Sequence, residues 1–260
     1  YAQVTAGVVL SPEGAALIDT LAFPEETLEI KNFVESKMGY TVTYVINTHY
    51  HADHTMGNYL FPNAQIVAHA LCRELLDTRG RRALEAARTQ TLELADVPVV
   101  LPNLTFAEGG LCLYLGKKTL QIFPSPGHSL DNVSVLIKED RVLFAGDSVM
   151  PIPHIVDGDV DAMEATLRAI PDMGLENIVQ GHGEIVLRGE IDDLIKSHLK
   201  YLNCMRGKVQ DALERGDRES LRGVDSGACG KPRILLGGLA GELHTRNLLA
   251  LYDKQLRQSS

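Results

Sequence analysis

Cysteine is scarce in this chain: four among 260 residues, at Cys72, Cys112, Cys204 and Cys229, irregularly spaced and with no C-x-x-C pair. That spacing argues against a thiolate zinc site and indicates no disulfide framework, so four reduced thiols are expected. Long apolar runs are also missing. None approaches the roughly 20 residues that a membrane-spanning helix needs. Positive charge is in deficit, with 25 Lys and Arg against 34 Asp and Glu and a formal net charge of −9. Such a chain repels phosphates, which argues against nucleic acid and anionic membrane as partners and leaves a small-molecule substrate. No signal peptide opens the sequence, so a cytoplasmic setting is expected, although a start at Tyr1 rather than Met leaves a removed leader open. No G-x-S-x-G elbow is present, and Gly146-Asp147-Ser148 does not match one. Repeats and low-complexity stretches are absent, and nothing in the composition sets an oligomeric state.

What is present reads as an ordinary globular chain, 45% apolar and 23% charged. Val4 to Leu10 and Ala15 to Ile18 read as a hairpin around Ser11-Pro12-Glu13-Gly14. A helix is expected over 24–38, opened by Pro24-Glu25-Glu26, and a buried strand over Thr41 to Ile46. Further strands are expected at Gln65 to Ala68, 111–115, 119–123, 133–137, 141–145 and 177–180. Helices are expected over about 70–94 with a break near Gly80, 160–170, Ile191 to Glu214 and 241–257, with an irregular, glycine-rich stretch over 216–238. This order gives an α/β architecture.

Histidine and aspartate are where the chemistry gathers. Thr48-His49-Tyr50-His51-Ala52-Asp53-His54 reads H-x-H-x-D-H, and Pro126-Gly127-His128, Gly146-Asp147-Ser148 and Gly181-His182-Gly183 follow. Imidazole and carboxylate bind zinc and similar first-row ions. In an extended segment, His49 and His51 point the same way and can share one ion. Asp53 and His54 fall at a turn that could send them to a second, and a carboxylate such as Asp147 has two oxygens with which to bridge a pair. Glycine beside His128 and His182 lets the backbone approach a crowded centre.

These four motifs, in this order, resemble the metallo-β-lactamase-fold hydrolases over about residues 4–190. The resemblance implies a four-layer αββα sandwich over 1–190, with 191–260 as a C-terminal helical extension of the same domain. It further implies that His49, His51 and His128 bind one metal, that Asp53, His54 and His182 bind a second, and that Asp147 bridges them. The string T-H-x-H-x-D-H-x-x-G-N and Pro126-Gly127-His128 look like hydroxyacylglutathione hydrolases, whereas residues 190–260 do not match the glutathione-binding segment of those enzymes. An aspartate at position 147 departs from the true β-lactamase branches.

The expected activity is that of a dinuclear metal-dependent hydrolase acting through a metal-bound hydroxide on a small ester, thioester or lactone, with Asp53 as both ligand and orienting base. Zinc is the default pair of ions, with iron or manganese open. The competing readings are a β-lactam or phosphodiester hydrolase on the same site, a mononuclear-iron sulfur dioxygenase, and a non-catalytic member of the fold. Substrate choice is expected from two peripheral segments, Met150 to Asp157 and 216–238 with the helix after it. His154, His244 and Asn247 are the candidate substrate contacts there, with helix capping and packing as the favoured reading of His244 and Asn247. Asp19 is expected to support the metal loops by hydrogen bonding, His69 and His198 to be surface or packing residues, and Arg79-Gly80-Arg81-Arg82 and Lys231-Pro232-Arg233 to be solvated.

Overall fold

The structure is a computed structural model describing residues 3–89 and 94–258. The first sheet holds β1 (Gly7–Ser11), β2 (Gly14–Ile18), β3 (Val42–Ile46), β4 (Gln65–His69) and β5 (Leu104–Phe106), side by side in that order. The second holds β6 (Leu111–Leu115), β7 (Lys118–Pro124), β8 (Val133–Ile137), β9 (Val142–Gly146), β10 (Asn177–Gln180) and β11 (Val186–Leu187), with β11 and β6 at its edges.

Every residue of β2 is buried, because its two faces serve different layers. Ala16 and Ile18 face the second sheet, packing with Ile46 and Val67 against Leu120, Ile122 and Val135. Ala15 and Leu17 face outward and pack with Val45 against Val34 and Phe61, at the side carrying α1 (Pro24–Lys31). On the far face of the second sheet, Leu143 and Ile178 pack with Met163 and Leu167 of α5 (Val160–Ala169) and Leu202 of α6 (Ile191–Arg215). Leu248 and Leu251 of α7 (Ala240–Gln258) join that same cluster. The layers therefore run helix, sheet, sheet, helix, with the C-terminal helices continuing one outer layer.

β2, β3, β4 and β5 are mutually parallel, as are β9 and β10, while β7 and β8 join β9 through antiparallel pairs. The carboxyl ends of β2, β3, β7, β9 and β10 thus lead into Asp19, the 47–54 loop, His128, Asp147 and His182. Loops after parallel strands gather at one edge of a sheet, where α/β folds place their ligands.

Several elements differ from expectation. The helix over 24–38 is α-helical only to Lys31 and continues as a wider π turn over Asn32–Lys37. The 70–94 helix divides into α3 (Ala70–Leu75), a π turn over Leu76–Gly80 and α4 (Arg81–Arg88), while 90–93 lie outside the described residues. The short strands β5 and β11 were not expected, being too brief for a periodic signal. Two cysteines depart from the expectation of reduced thiols: Cys204 of α6 and Cys229 are joined in a disulfide. Their sequence separation of 25 matches no motif, and only the packing of the 226–229 turn on α6 brings them together. The pairing removes reduced thiols as support for a cytoplasmic setting. Among the described residues, no helix is long and apolar enough to cross a membrane.

Candidate metal centre

The 47–54 loop leaves β3 and is fixed at both ends. Asn47 and Asn58 exchange paired side-chain hydrogen bonds of 3.0 and 2.9 Å, closing the loop over α2 (Ala52–Thr55). Asp19, buried at the end of β2, accepts from the Thr48 amide at 2.8 Å, the Thr48 hydroxyl at 2.7 Å and His54 Nδ1 at 2.8 Å. Two groups of potential ligand atoms result, each with its atoms within 4.8 Å of one another: His49, His51, His128 and Asp147 in one, Asp53, His54 and His182 in the other.

Asp147 stands between the two groups. Its Oδ2 lies 3.4 Å from His128 Nε2 and 3.3 Å from His182 Nε2, and its Oδ1 lies 3.3 Å from His54 Nε2. Asp53 Oδ2 closes the second group, 3.4 Å from His182 Nε2 and 3.8 Å from His54 Nε2. His49 Nε2 and His128 Nε2 approach His51 Nδ1 at 3.0 and 2.9 Å, so three imidazoles aim ring nitrogens at one point. Only Asp53 and His51 keep appreciable side-chain exposure, 23% each, and they mark the mouth.

The outward ring nitrogens explain this aim. His49 Nδ1 meets the Thr48 hydroxyl at 3.1 Å, His51 Nε2 meets Asp157 Oδ2 at 3.2 Å, His54 Nδ1 meets Asp19, and His128 Nδ1 meets the His154 carbonyl at 2.8 Å. A histidine that donates outward turns the lone pair of its other nitrogen inward, the arrangement that metal-binding imidazoles use. Close backbone approach does the rest. A Cβ at Gly181 would sit 1.9 Å from Asp147 Oδ1, so only glycine lets the His182 loop pass that carboxylate. A Cβ at Gly158 would sit 1.8 Å from the Gly127 carbonyl, so glycine is also required where the 150–158 loop crosses the His128 loop.

Charge in the cluster is divided. Burial holds His49 well below the usual histidine range and His128 down to about 3, keeping both neutral and able to ligate. Burial works against protonation of His54 and His182 as well, but Asp147 and neighbouring carboxylates outweigh it and raise both. Burial would raise Asp147, yet His182, His54 and His128 overcome it and hold that carboxyl well below its ordinary value. His54 Nε2 and Asp147 Oδ1 are nonetheless buried with no hydrogen-bond partner. Two inward-facing polar atoms left unpaired in a set of five imidazoles and two carboxylates fit bound metal, which would take the place of the histidine protons.

The family profile described as the metallo-beta-lactamase superfamily matches residues 2–192. The chain belongs to that superfamily. Metallo-beta-lactamase type 2 of Pseudomonas aeruginosa is 30% identical over 60% of the chain and 56% of its own length. Hydroxyacylglutathione hydrolase of Rhodopseudomonas palustris is 28% identical over 62% and 52% respectively. The chain thus spans about half the length of the curated relatives it matches. A solved metallo-beta-lactamase from Pontibacter korlensis, 21% identical, covers 73% of the chain and is itself covered to 85%, with a TM-score of 0.58, a likeness of fold.

Within this superfamily member, His244 and Asn247 take the packing role rather than that of substrate contacts. His244 and Asn247 are completely buried. Asn247 accepts from the Ile155 amide at 2.9 Å and donates to the Pro153 carbonyl at 2.7 Å, and His244 Nδ1 pairs with the Tyr201 hydroxyl at 3.0 Å. The polar pair at the start of α7 reads equally well as a helix face toward solvent, and only the tertiary packing turns it inward. His154 stays beside the cluster, its ring 5.5 Å from that of His128, with burial lowering it to about 4 and its Nε2 buried and unpartnered.

Lys231, expected in a surface loop, is 3% exposed and points its ammonium at His198 Nδ1, 3.0 Å away. His198 is a packing residue, its Nε2 on the Met150 carbonyl at 2.6 Å. His69 caps α3, its Nδ1 accepting from the Leu71 amide. Asp19 supports the loop as expected, while Asp157 and Asp131 were missed. Asp157 accepts from His51 and from the Tyr50 hydroxyl, and Asp131 accepts from the Tyr50 amide at 2.8 Å. Asp131 lies only three residues after His128 and Asp157 closes the segment after the Asp147 motif, but neither stands in a ligand position of those motifs. Arg79 reaches Asp157 at 3.8 Å rather than standing alone in solvent.

Proposed function

We propose that this protein is a dinuclear metal-dependent hydrolase of small esters and thioesters. The observation that carries the reading is Asp147, whose two oxygens face two separate imidazole groups within 3.4 Å, one oxygen buried and unpartnered. His49, His51 and His128 would hold one ion, Asp53, His54 and His182 the other, with Asp147 shared. Zinc is the first choice, and iron and manganese suit the same donors. When bound, such ions supply Lewis acidity and lower the pKa of water.

The chain's own residues supply the rest. Asp53, partly exposed at the mouth, is placed to orient a water and take its proton. Two divalent ions against Asp53 and Asp147 leave the centre cationic, which favours a polarised or anionic carbonyl substrate. Two grooves support a substrate with unlike arms. One of about 550 Å³ adjoins His51 through Asp157 and carries Arg79, Lys254 and Arg257 beside Asp157 and Asp253, suited to a polar arm. The other, about 590 Å³, adjoins His182 through Gly183 and is walled by Pro151, Ile234, Leu235 and Leu236, suited to an apolar acyl arm. Both lie within roughly 300–1,000 Å³, the usual range of small-molecule sites. The likeness to a hydroxyacylglutathione hydrolase, named for a thioester substrate, points the same way.

The test is elemental analysis of zinc-loaded protein followed by a panel of S-lactoylglutathione, p-nitrophenyl esters, a lactone, nitrocefin and bis-p-nitrophenyl phosphate. The expected result is two ions per chain, with ester or thioester turnover exceeding that of nitrocefin and the phosphodiester. Full activity with one ion would overturn the dinuclear assignment, and inactivity of the two-ion protein on all acyl substrates would overturn the substrate class.

A further inference from the structure

A buried hydrogen-bonded assembly outside the seven candidate ligands joins the C-terminal helices to the 153–155 backbone. Asn247 of α7, completely buried, uses both ends of its amide: Oδ1 accepts from the Ile155 amide at 2.9 Å, and Nδ2 donates to the Pro153 carbonyl at 2.7 Å and to the Tyr201 hydroxyl at 3.0 Å. Tyr201 in turn meets His244 Nδ1 at 3.0 Å, with both residues fully buried. The two backbone groups that Asn247 grips flank His154, and the His154 carbonyl accepts from His128 Nδ1 at 2.8 Å. Three residues past His154, Asp157 accepts from His51 Nε2 at 3.2 Å. The 152–156 segment is neither helix nor strand, and backbone pairing to the His128 loop begins only at the isolated bridge between Asp157 and Ser129, so the Asn247 amide is what grips the backbone on either side of that carbonyl.

We infer that Asn247 is a positioning residue for one half of the metal centre, bracketing the 153–155 backbone so that His128, and with it His51, presents its lone pair to the first ion. This rests on the dinuclear reading above and adds an asymmetry to it. The contacts that orient the second group come from elsewhere, with His54 held by Asp19 at the end of β2. Losing the Asn247 amide should therefore weaken one ion and spare the other. Packing alone does not require an asparagine there. An apolar residue would fill the space, and an aspartate would keep the acceptor for the Ile155 amide while losing the donors to Pro153 and Tyr201.

The experiment compares wild type with Asn247→Asp, Asn247→Leu, Tyr201→Phe and Arg218→Ala in the full chain. Arg218 holds α7 by a two-pronged contact to Asp253, each arm 2.7 Å, and touches neither the loop nor the cluster. Zinc affinities are read by chelator competition, thermal stability by melting, and the His128 tautomer by 15N NMR of the metal-free protein. Removing a group that orients a metal-bound histidine typically costs 10–100-fold in affinity. The expected result is a loss of roughly that size at one of two ions in both Asn247 variants, a smaller loss in Tyr201→Phe, and loss of the single Nδ1–H form of His128. Arg218→Ala should lower the melting temperature with both affinities unchanged.

Equal weakening of both ions in the Asn247 variants, or a pattern matching Arg218→Ala, would make Asn247 merely structural and overturn the inference. If wild type binds fewer than two ions, the dinuclear reading fails on its own. The tautomer then decides the inference separately, and an unchanged His128 Nδ1–H in folded Asn247→Leu would overturn it.

Discussion

Asp19 occupies a left-handed backbone conformation, φ 60°, that a side chain other than glycine adopts only when its surroundings hold it there. Its carboxylate repays the strain with three hydrogen bonds that join β2 to Thr48 and His54. Asp19→Ala is therefore expected to weaken the ion held by Asp53, His54 and His182 by roughly 10–100-fold, the usual effect of losing a partner behind a metal-binding histidine. Chelator competition would show it, and an unchanged affinity would mean that His54 keeps its orientation without Asp19.

A second residue tests burial rather than ligation. Lys231 is pushed down by burial from about 10.5 to about 8, equivalent to about 3 kcal/mol. Below pH 8 both folded and unfolded chains hold the proton, and the full cost of the buried ammonium is present. Between pH 8 and 10.5 the unfolded chain binds more protons, so the penalty fades and stability rises with pH. Lys231→Met should be more stable than wild type near pH 7 and lose that advantage by pH 10.5 in denaturant titrations. A difference independent of pH would show that the ammonium is solvated.

At this scale the seven candidate ligands were legible because their motifs bind them to strand ends at short range. Lys231, Asn247 and Asp157 were not, since each owes its role to a neighbour 33 to 106 residues distant.

Among the elements, the strands that carry the ligands were legible as short apolar runs, β3 being the densest of them in β-branched residues, and α6 was readable nearly to its ends. What periodicity could not show was how the connections after α6 are tied down. The 216–238 stretch, expected to be irregular, holds short 3₁₀ turns over Glu219–Gly223 and Ser226–Cys229 and a further turn over Leu235–Gly238 that is left-handed at Leu236 and Gly237. The Cys204–Cys229 disulfide anchors the middle one to α6. Closing a loop of that length is worth about 3 kcal/mol in the chain-entropy account. Cys204→Ser should therefore lower the melting temperature by roughly 5–10 °C in a chain of this size. Calorimetry of wild type with and without reductant, beside the variant, checks it. Identical melting in all three would show that the bond adds no stability.

For the molecule as a whole, the sandwich brings together two segments that the sequence marked separately as sources of specificity. Pro151 comes from the loop after Asp147 and Ile234 to Leu236 from the stretch before α7, and they wall one groove beside His182. Ile234 is 79% exposed, so it contributes to that wall rather than to the core. Leu236 holds φ 53° and the two glycines after it are also left-handed, a local cost that turns the apolar side chains toward the groove. Among the described residues Glu184 is the only ionisable one in the lining, so the groove accepts hydrocarbon better than an anion. Burying a methylene is worth about 0.8 kcal/mol when complete, and an open groove realises about half of it. For p-nitrophenyl esters from acetate to octanoate, kcat/KM should then rise roughly twofold per methylene. Ile234→Asp should flatten that slope and leave acetate turnover as it was, because a two-carbon acyl group ends at the metal centre. A steep slope that survives Ile234→Asp would place the acyl arm elsewhere, and a flat slope in both proteins would leave the groove without a part in substrate choice.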